Sequence, residues 1–310
     1  MLVFKRLELS DIEIIKPCFS LSKNRTCDNT VGGTFIWRDF FCMEYAAYNQ
    51  NFIFKGRFAD NNMFAMPLGK NADEITDSLK QIELYCKKNK IPMIIYLATD
   101  GDIKIIDAFY RNKNINISKT DETDWADYLY KALDLSDLAG RKYSGQRNHI
   151  NYFKRNYSNY SIKKITAETI GDVLVFFENY KKYEKYENRN DKNSPVLIEE
   201  AKKVCEMLEN IEKFNIYGQT GIVLYIGGSV AGFSIGETIN DTLFVHIEKA
   251  DLKYRGAYQI IVNEFAKQNA NENIIYINRE DDAGDENLKI SKLSYHPCDI
   301  IKKYTVCIDI

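Results

Sequence analysis

The side chains best suited to acid–base chemistry lie near the end of a predicted strand that begins at Asp241. In the run DTLFVHIEK, His246 and Glu248 are two positions apart, and the two-residue period of a strand predicts that they share one face. At such a position an imidazole or a carboxylate acts as the base for an incoming nucleophile, directly or through water. The alternative for His246 is a hydrogen-bonded, half-buried residue of the sheet.

A loop that contains a glycine connects this strand to a predicted helix, whose apolar stripe reaches Phe265. Free N–H groups at the start of a helix, together with the helix dipole, bind phosphate and other anions. The loop is therefore predicted to bind an anionic donor, and the alternative is a plain turn whose glycine only relieves crowding. The candidate donor-binding residues are Lys253, Tyr254, Arg255, Gly256, Ala257 and Tyr258.

An acidic turn follows the next predicted strand, 274–277. Its charged residues are Arg279, Glu280, Asp281 and Asp282. Three carboxylates that converge raise the pKa of at least one of them and attract an amine, such as the ammonium of a lysyl or alanyl group. Glu280 is therefore a catalytic candidate, and its neighbours are candidates for binding the acceptor or an anion. The alternative is a solvated turn that caps the following helix.

Tyrosine and histidine occur together in the later run SYHP. Tyr295 and His296 would serve as proton donors for a leaving thiolate or 3′-hydroxyl. Alternatively, they pack the last strand against the core. The first half of the chain has no comparable block of polar residues at its strand ends. We therefore expect the chemistry in the C-terminal half or in the cleft between the halves.

Positive charge is concentrated in one block, Leu138–Lys164. It contains five arginine or lysine residues up to Arg155, two more lysines at its end, and no aspartate or glutamate. A helix from about Ser144 to Tyr157 would present these charges among tyrosines, as a surface for a nucleotide, an RNA stem or anionic lipid heads. A solvated helix paired with acidic residues elsewhere is the alternative. The candidate acceptor- or anion-binding residues of this block are Arg141, Lys142, Arg147, His149 and Lys154.

Composition excludes several classes of protein. The 310 residues carry a formal net charge of −2, with 45% hydrophobic and 28% charged residues, which is typical of a globular protein rather than a nucleic-acid coat. Apolar runs such as Pro92–Ala98 are too short to span a bilayer, and Lys5 and Arg6 interrupt any signal-peptide core. The sequence therefore predicts a cytoplasmic protein without transmembrane contact. Seven scattered cysteines without a CxxC pair predict neither a metal site nor a disulfide framework.

Two stretches of the chain repeat one order of elements. A strand ending at Leu68, a helix over 73–90 and a strand over 92–98 reappear as the strand, helix and strand between residues 241 and 277. Antiparallel hairpins that feed one strand–helix–strand crossover give a mixed sheet with helices on both faces. The sequence therefore predicts an α/β protein with mixed α+β sheets. The predicted domains are 1–137 and 138–310.

These features resemble the GNAT acyltransferase superfamily, in which a strand ends in an R/Q-x-x-G-x-G/A loop before a helix and a splayed strand. The loop KYRGAY keeps the basic first residue and the central glycine but ends in tyrosine. More specifically, the runs LAGRKYSGQRNHINYF, FVHIEKADLKYRGAYQ, YINREDDAGDENLKISKLSYHP and IIKKYTV are similar to small proteins related to the catalytic C-terminal domain of phosphatidylglycerol lysyltransferases. Those are tandem GNAT-like proteins, related to the Fem-type aminoacyl-tRNA-dependent transferases.

The resemblance implies two tandem GNAT-like domains, each a mostly antiparallel sheet with helices on both faces. It also implies an acyl- or aminoacyltransferase that acts on an amine or hydroxyl acceptor, with a lipid headgroup among the candidates. No cofactor would bind tightly; acyl-CoA or aminoacyl-tRNA would be the donor substrate, and tRNA or an anionic lipid headgroup a partner. The alternative is a catalytically silent GNAT-like module that binds an anionic ligand or RNA through the basic helix 141–155.

Overall fold

A computed structural model describes residues 2–58, 61–187 and 194–310, without the side chains of 181–187, 194–198 and Ile216. Part of the lysine- and glutamate-rich segment 181–193, which its composition predicts to be exposed, lies outside these residues. The strands are β1 (Lys5–Arg6), β2 (Glu44–Tyr48), β3 (Asn51–Phe58), β4 (Asn61–Ala65), β5 (Met93–Ala98), β6 (Ile117–Asp121), β7 (Asp127–Lys131), β8 (Tyr160–Lys164), β9 (Gln219–Ile226), β10 (Ser229–Ile239), β11 (Thr242–Ala250), β12 (Tyr276–Asn278), β13 (Asp299–Ile301) and β14 (Tyr304–Ile308).

The α-helices alternate with these strands along most of the chain. They are α1 (Ile12–Phe19), α2 (Val31–Ile36), α3 (Ala72–Asn89), α4 (Asp100–Tyr110), α5 (Ala132–Asp137), α6 (Ser144–Asn156), α7 (Ile170–Glu187), α8 (Ser194–Glu209), α9 (Ile211–Ile216), α10 (Ala257–Asn269) and α11 (Glu286–Leu293). Local chemistry accounts for their ends: the Asn71 side chain accepts a hydrogen bond from the Glu74 amide at the start of α3, and Lys90 ends that helix in the left-handed conformation. In the described part of the chain, no helix has the length and apolar character that crossing a bilayer requires.

The first sheet has the strand order β1-β2-β3-β4-β5-β14-β6. β4 and β5 are parallel and joined by α3, whereas the neighbouring pairs are antiparallel. Ile53 on β3 packs in one core with Leu79 of α3 and Ile106 of α4. The next residue, Phe54, stacks on Phe19 of α1 at 6.0 Å between ring centroids, so helices cover both faces.

The second sheet has the order β13-β7-β12-β11-β10-β9-β8, and β11 and β12 are parallel neighbours joined by α10. Phe233 on β10 packs edge-on against Phe177 of α7 at 6.0 Å. On the other face, a Cβ added at Gly232 would lie 2.5 Å from Ile261 of α10. The two faces are named below by these helices, the α7 face and the α10 face. The predicted mixed α/β architecture, with mostly antiparallel sheets and helices on both faces, is confirmed.

The chain forms two compact units whose limits differ from the predicted domains 1–137 and 138–310. The first unit contains Met1–Tyr128, Glu280–Lys289 and Ile300–Ile310, and the second contains Leu129–Arg279 and Ile290–Asp299. The physical reason is the last strand. β14 pairs with β5 and β6 in the first sheet, so the C-terminal end of the chain belongs to the first unit.

Candidate active site

The two parallel strands of the second sheet separate soon after they pair. Thr242, Leu243 and Phe244 pair with residues of β12, which ends at Asn278, whereas β11 continues to Ala250. The end of β11 therefore has no β12 neighbour beside it. A gap at the carboxyl end of parallel strands is the usual position of ligand sites in α/β folds.

Three predicted site residues from distant segments meet at this point. Arg279 donates from Nε (3.1 Å) and Nη2 (2.7 Å) to the same oxygen of Glu248, Oε2. The ring of Tyr295 lies against the guanidinium, with 4.9 Å from its centroid to Cζ. Glu248, Arg279 and Tyr295 therefore form one buried centre in the second unit, and the Glu248 and Arg279 side chains are 14% and 6% exposed.

The charge state of this centre follows from its contacts. Burial alone would lower the pKa of Arg279, but the Glu248 carboxylate raises it, so the guanidinium stays protonated. Burial also raises the pKa of Tyr295, which keeps its phenol neutral. Nη1 of Arg279 is buried and has no hydrogen-bond partner among the described residues. An unmet buried donor costs about 1–3 kcal/mol of stability, and more when it is charged.

His246 lies on the other side of the sheet from Glu248, which corrects the prediction that they share one face. Ile247 pairs with Ile235 and Val245 with Gly236, so His246 is an extra residue in a β-bulge and the alternation breaks there. Val245 and Glu248 both line a gap beside α10. His246 instead lies 2.8 Å (Nε2 to Oε1) from Glu237 on the α7 face, and both side chains are 1% exposed.

Gly256 is held against α6. A Cβ there would lie 2.6 Å from the carbonyl oxygen of His149 and 3.0 Å from Cβ of Phe153, and the φ of +91° is left-handed. The amide of Ala257 donates to the Tyr254 carbonyl. The structure thus supports the alternative in which this glycine relieves crowding. Among the described residues the amides of Tyr258 and Gln259 have no partner, so the start of α10 keeps two donors for an anion.

The donor loop and the basic helix, predicted as separate sites, form one surface. The guanidinium of Arg255 lies 4.6 Å from the ring centroid of Tyr152 on α6, and Tyr254 packs edge-on against Tyr157 at 5.4 Å. Lys253 is 65% exposed and pairs with Asp251 at 2.7 Å. Tyr258 reaches the hydroxyl of Tyr180 at 3.4 Å.

Several charges of the basic block have partners within the second unit. Arg147 donates from Nη1 to the carbonyl oxygens of Leu138 and Gly140, so it stabilises the end of α5. Lys142 pairs with Asp134 at 3.1 Å, and the carbonyl oxygen of Lys142 accepts a hydrogen bond from Nε2 of His296 at 3.1 Å. The exposed cations of this block are Arg141, Lys142, Lys154, Arg155, Lys163 and Lys164.

The acidic turn and the Glu248 centre belong to different units of the chain. Glu280, Asp281 and Asp282 belong to the first unit, whereas Arg279 belongs to the second. Asp282 accepts hydrogen bonds from the Tyr128 hydroxyl (2.5 Å) and the Gly284 amide (2.9 Å), and Asp281 accepts from the Ala283 amide (3.0 Å). The structure thus gives Asp281 and Asp282 contacts that shape the turn.

A buried charge cluster in the first unit was not predicted. Nζ of Lys303 lies 2.8 Å from Asp127 and 2.7 Å from Asp28, and the side chains of Lys303 and Asp127 are 0% exposed. Cys27, Asp127 and Asp281 bring potential metal-ligand atoms within 4.8 Å of one another. Because the Lys303 ammonium already lies on Asp127, it supplies the positive charge that a metal would bring.

Sequence reasoning also missed two polar residues of β10. Glu237 pairs with His246, and Ser234 lies directly opposite Glu248. Ser234 is fully buried, and its Oγ has no partner among the described residues. The available signal was weak: a serine and a glutamate interrupt the otherwise apolar run VAGFSIGETI of a central strand.

Comparison with known proteins identifies relatives of the chain and proteins that share its fold. It is 29% identical to a conserved protein of unknown function from Bacteroides thetaiotaomicron, with a TM-score of 0.86 over 99% of both chains. It shares its fold with the C-terminal domain of an Agrobacterium fabrum protein named for lysylphosphatidylglycerol synthetase (TM-score 0.66, 11% identity, 96% and 91% of the two chains). An uncharacterized protein of Mycoplasmoides gallisepticum is 26% identical over 180 residues, 58% of this chain and 55% of that protein.

The match to a family extends over almost all of the residues described above. Residues 19–307 match the family described as phosphatidylglycerol lysyltransferase, C-terminal, and thus include Glu248, Arg279 and Tyr295. This confirms the resemblance inferred from the four sequence runs. The chain belongs to the phosphatidylglycerol lysyltransferase C-terminal family.

Proposed function

We propose that this protein is an acyl- or aminoacyltransferase that moves an acyl group from an activated donor to an amine or hydroxyl acceptor. The family supports a transferase of this kind. The observation that carries the proposal is the meeting of Glu248, Arg279 and Tyr295 where β11 and β12 separate. Such a centre combines a fixed cation, a carboxylate and a phenol in a site of low exposure, which is what acyl transfer requires.

The donor's phosphates would bind at the start of α10. The free amides of Tyr258 and Gln259 and the exposed side chain of Arg255 lie on one short segment. Lys154 and Arg155, on α6, continue the positive charge along the helix that packs on Gly256. CoA and the 3′ end of tRNA both present phosphates to such a surface, so the two donors remain candidates.

Roles for the remaining predicted residues follow from their positions. Tyr295 would give a proton to the leaving thiolate or 3′-hydroxyl. The predicted base His246 bonds Glu237 on the α7 face. It therefore lies across the sheet from an acyl group at the Glu248 centre and would not take a proton from an acceptor bound there. Glu280 lies in the first unit and is a weaker candidate for catalysis than Glu248.

A binding screen of the purified protein tests the proposal. Saturable binding of CoA and acetyl-CoA would favour acyl transfer, and binding of aminoacyl-tRNA without CoA would favour aminoacyl transfer. Each donor that binds is then tested for loss of its acyl group in the presence of amine and alcohol acceptors. Binding of neither donor would contradict the proposal and would favour the silent module.

Reversing one charge on the shared surface should weaken donor binding. Arg255→Glu is expected to lower affinity for a tRNA donor about tenfold at 0.1 M salt and to reduce the slope of log K against log salt by about one, because one phosphate contact is lost. Filter binding across a salt series measures both quantities. Lys80→Glu is the matched control, since Lys80 is exposed on α3 in the first unit. Equal effects of the two variants would argue against a specific surface.

A further inference from the structure

Two buried donors flank the Glu248 carboxylate on the α10 face of the second sheet. Arg279 Nη1 has no partner among the described residues, and the same is true of Ser234 Oγ. Ser234 is paired with Glu248 across β10 and β11. Directly opposite residues of antiparallel strands have Cβ atoms about 4.5–5.5 Å apart, so the Ser234 hydroxyl lies beside the Glu248 side chain that Arg279 binds.

Neither donor stabilises the folded chain in this arrangement. A buried hydroxyl or guanidinium N–H without a partner is destabilising, and native structures contain few of them. The Nε and Nη2 groups of the same arginine are well bonded to Glu248, so the side chain is fixed while Nη1 stays unmet. Two buried donors without hydrogen-bond partners in the described part of the chain, both beside one carboxylate, indicate that a ligand supplies the acceptor oxygen.

The surroundings favour a carbonyl oxygen over water. A narrow gap between the strands and α10 has no room for a separate water molecule. It is lined by Glu248 and Arg279 and by the apolar side chains of Leu243, Val245, Val262 and Ile277. Apolar walls lower the local dielectric and strengthen a hydrogen bond to developing negative charge. The partly exposed Glu248 side chain marks the side from which a ligand approaches.

We propose that Arg279 Nη1 and Ser234 Oγ together bind the carbonyl oxygen of the transferred acyl group, and that Glu248 positions Arg279 instead of acting as the base. Oε2 of Glu248 receives two N–H donors, so that oxygen is already engaged. This inference rests on the proposed transferase function and assigns the part of the site that stabilises the transition state.

The chemical step balances in atoms and electrons. A lone pair of the acceptor nitrogen or oxygen forms a bond to the acyl carbon, and the carbonyl π pair moves to the oxygen held by Nη1 and Oγ. When that pair returns, the bond to the leaving sulfur or 3′-oxygen breaks. Tyr295 gives its proton to the leaving sulfur or 3′-oxygen and takes up the proton that the acceptor loses, so no oxidant or other reactant is needed.

Ser234→Ala is the sharpest variant, because it removes a hydroxyl that has no partner in the fold. We expect its thermal stability to be unchanged or raised, while turnover falls about 10- to 100-fold and donor affinity falls less, by about fivefold, because the phosphates supply most of it. Arg279→Lys keeps the charge but removes Nη1, and its kcat should fall about 100- to 1,000-fold. A purely structural role for Ser234 would leave kcat unchanged, and that result would overturn its assignment.

Glu248→Gln separates a positioning role from that of a base. As a positioning residue it keeps one oxygen for Nη2, so kcat should fall about tenfold and the pH profile should keep its shape. Loss of the acidic limb of the pH profile together with a loss of 1,000-fold or more would show that Glu248 is the base and would overturn this part of the proposal.

Binding of small amides tests the site without any activity. Acetamide carries the carbonyl group alone, and glycinamide adds an ammonium that the Glu248 carboxylate would attract. Both are titrated into the whole protein and followed by amide chemical shifts, with Ser234→Ala and Arg279→Lys expected to weaken binding at least fivefold. Tighter binding of glycinamide would indicate an aminoacyl donor, and equal binding a plain acyl donor.

The outcomes separate this inference from the proposed function. If neither amide binds the wild type, or if both variants bind as the wild type does, the carbonyl site is wrong. If the amides bind and the variants weaken them, but no donor loses its acyl group, the site stands and the transferase function fails.

Discussion

Lys303→Met is expected to lower the free energy of unfolding by about 3–5 kcal/mol. The substitution keeps the length of the side chain but removes an ammonium that lies 2.8 Å from Asp127, whose side chain is 0% exposed. A buried carboxylate that loses its counter-charge is strongly destabilising, even where an intact pair contributes little. Urea unfolding followed by circular dichroism measures the loss.

The neighbouring lysine provides the control. Lys302 is exposed, and Lys302→Met should change the free energy of unfolding by no more than about 0.5 kcal/mol. A loss below about 1 kcal/mol in Lys303→Met would mean that the cluster is not a closed ion pair.

The pH dependence of the same variant has a definite sign. Burial alone would lower the pKa of Lys303, but Asp127 and Asp28 raise it well above the ordinary value of 10.5. A pKa that is higher in the folded state contributes stability that is complete below the unfolded value and is lost as the pH rises through the folded value. The difference between wild type and Lys303→Met should therefore be constant at neutral pH and shrink above pH 10.5.

Gly256→Ala should lower the free energy of unfolding by about 2–5 kcal/mol. A left-handed φ costs an alanine about 1–2 kcal/mol, and forcing a methyl group into a filled space adds about 1–3 kcal/mol. Here the added Cβ would meet a backbone oxygen of α6 at 2.6 Å, and a backbone atom cannot rotate away as a side chain does.

Gly228→Ala separates the two contributions. Gly228 also has a left-handed φ, +83°, but a Cβ there would meet nothing within 4 Å. This variant should lose only the conformational part, about 1–2 kcal/mol. Equal losses in the two variants would show that α6 does not pack on Gly256 as described, and would weaken the surface shared by the donor loop and the basic helix.

Local patterns predicted several elements of the chain. The predicted helices 73–90 and 144–157, the strand 92–98 and the repeated strand–helix–strand order correspond to the structure. The mixed sheets follow from that order, because two parallel strands need a crossover helix. Family runs such as YINREDDAG added a reason to expect Arg279 near a site.

Pairing between distant segments could not be predicted in the same way. The run VHIEK keeps a regular strand pattern, but an extra residue in the pairing with β10 moves His246 and Glu248 to opposite faces. Of the adjacent lysines Lys302 and Lys303, one is exposed and the other is fully buried, and the difference depends on Asp127. Hydrogen bonds that engage charged side chains could not be predicted either. Arg147, for example, donates to carbonyl groups at the end of α5.

A structure of the protein with a stable donor analogue is the most direct test of where the acyl group binds. Acetyl-CoA with its thioester oxygen retained but its sulfur replaced by carbon, and a 3′-amide analogue of aminoacyl-tRNA, are suitable ligands. We expect the phosphates at the start of α10 and the acyl oxygen within hydrogen-bond distance of Arg279 Nη1 and Ser234 Oγ. An acyl group bound on the α7 face beside His246, with Arg279 Nη1 still without a hydrogen-bond partner, would contradict the proposed carbonyl site.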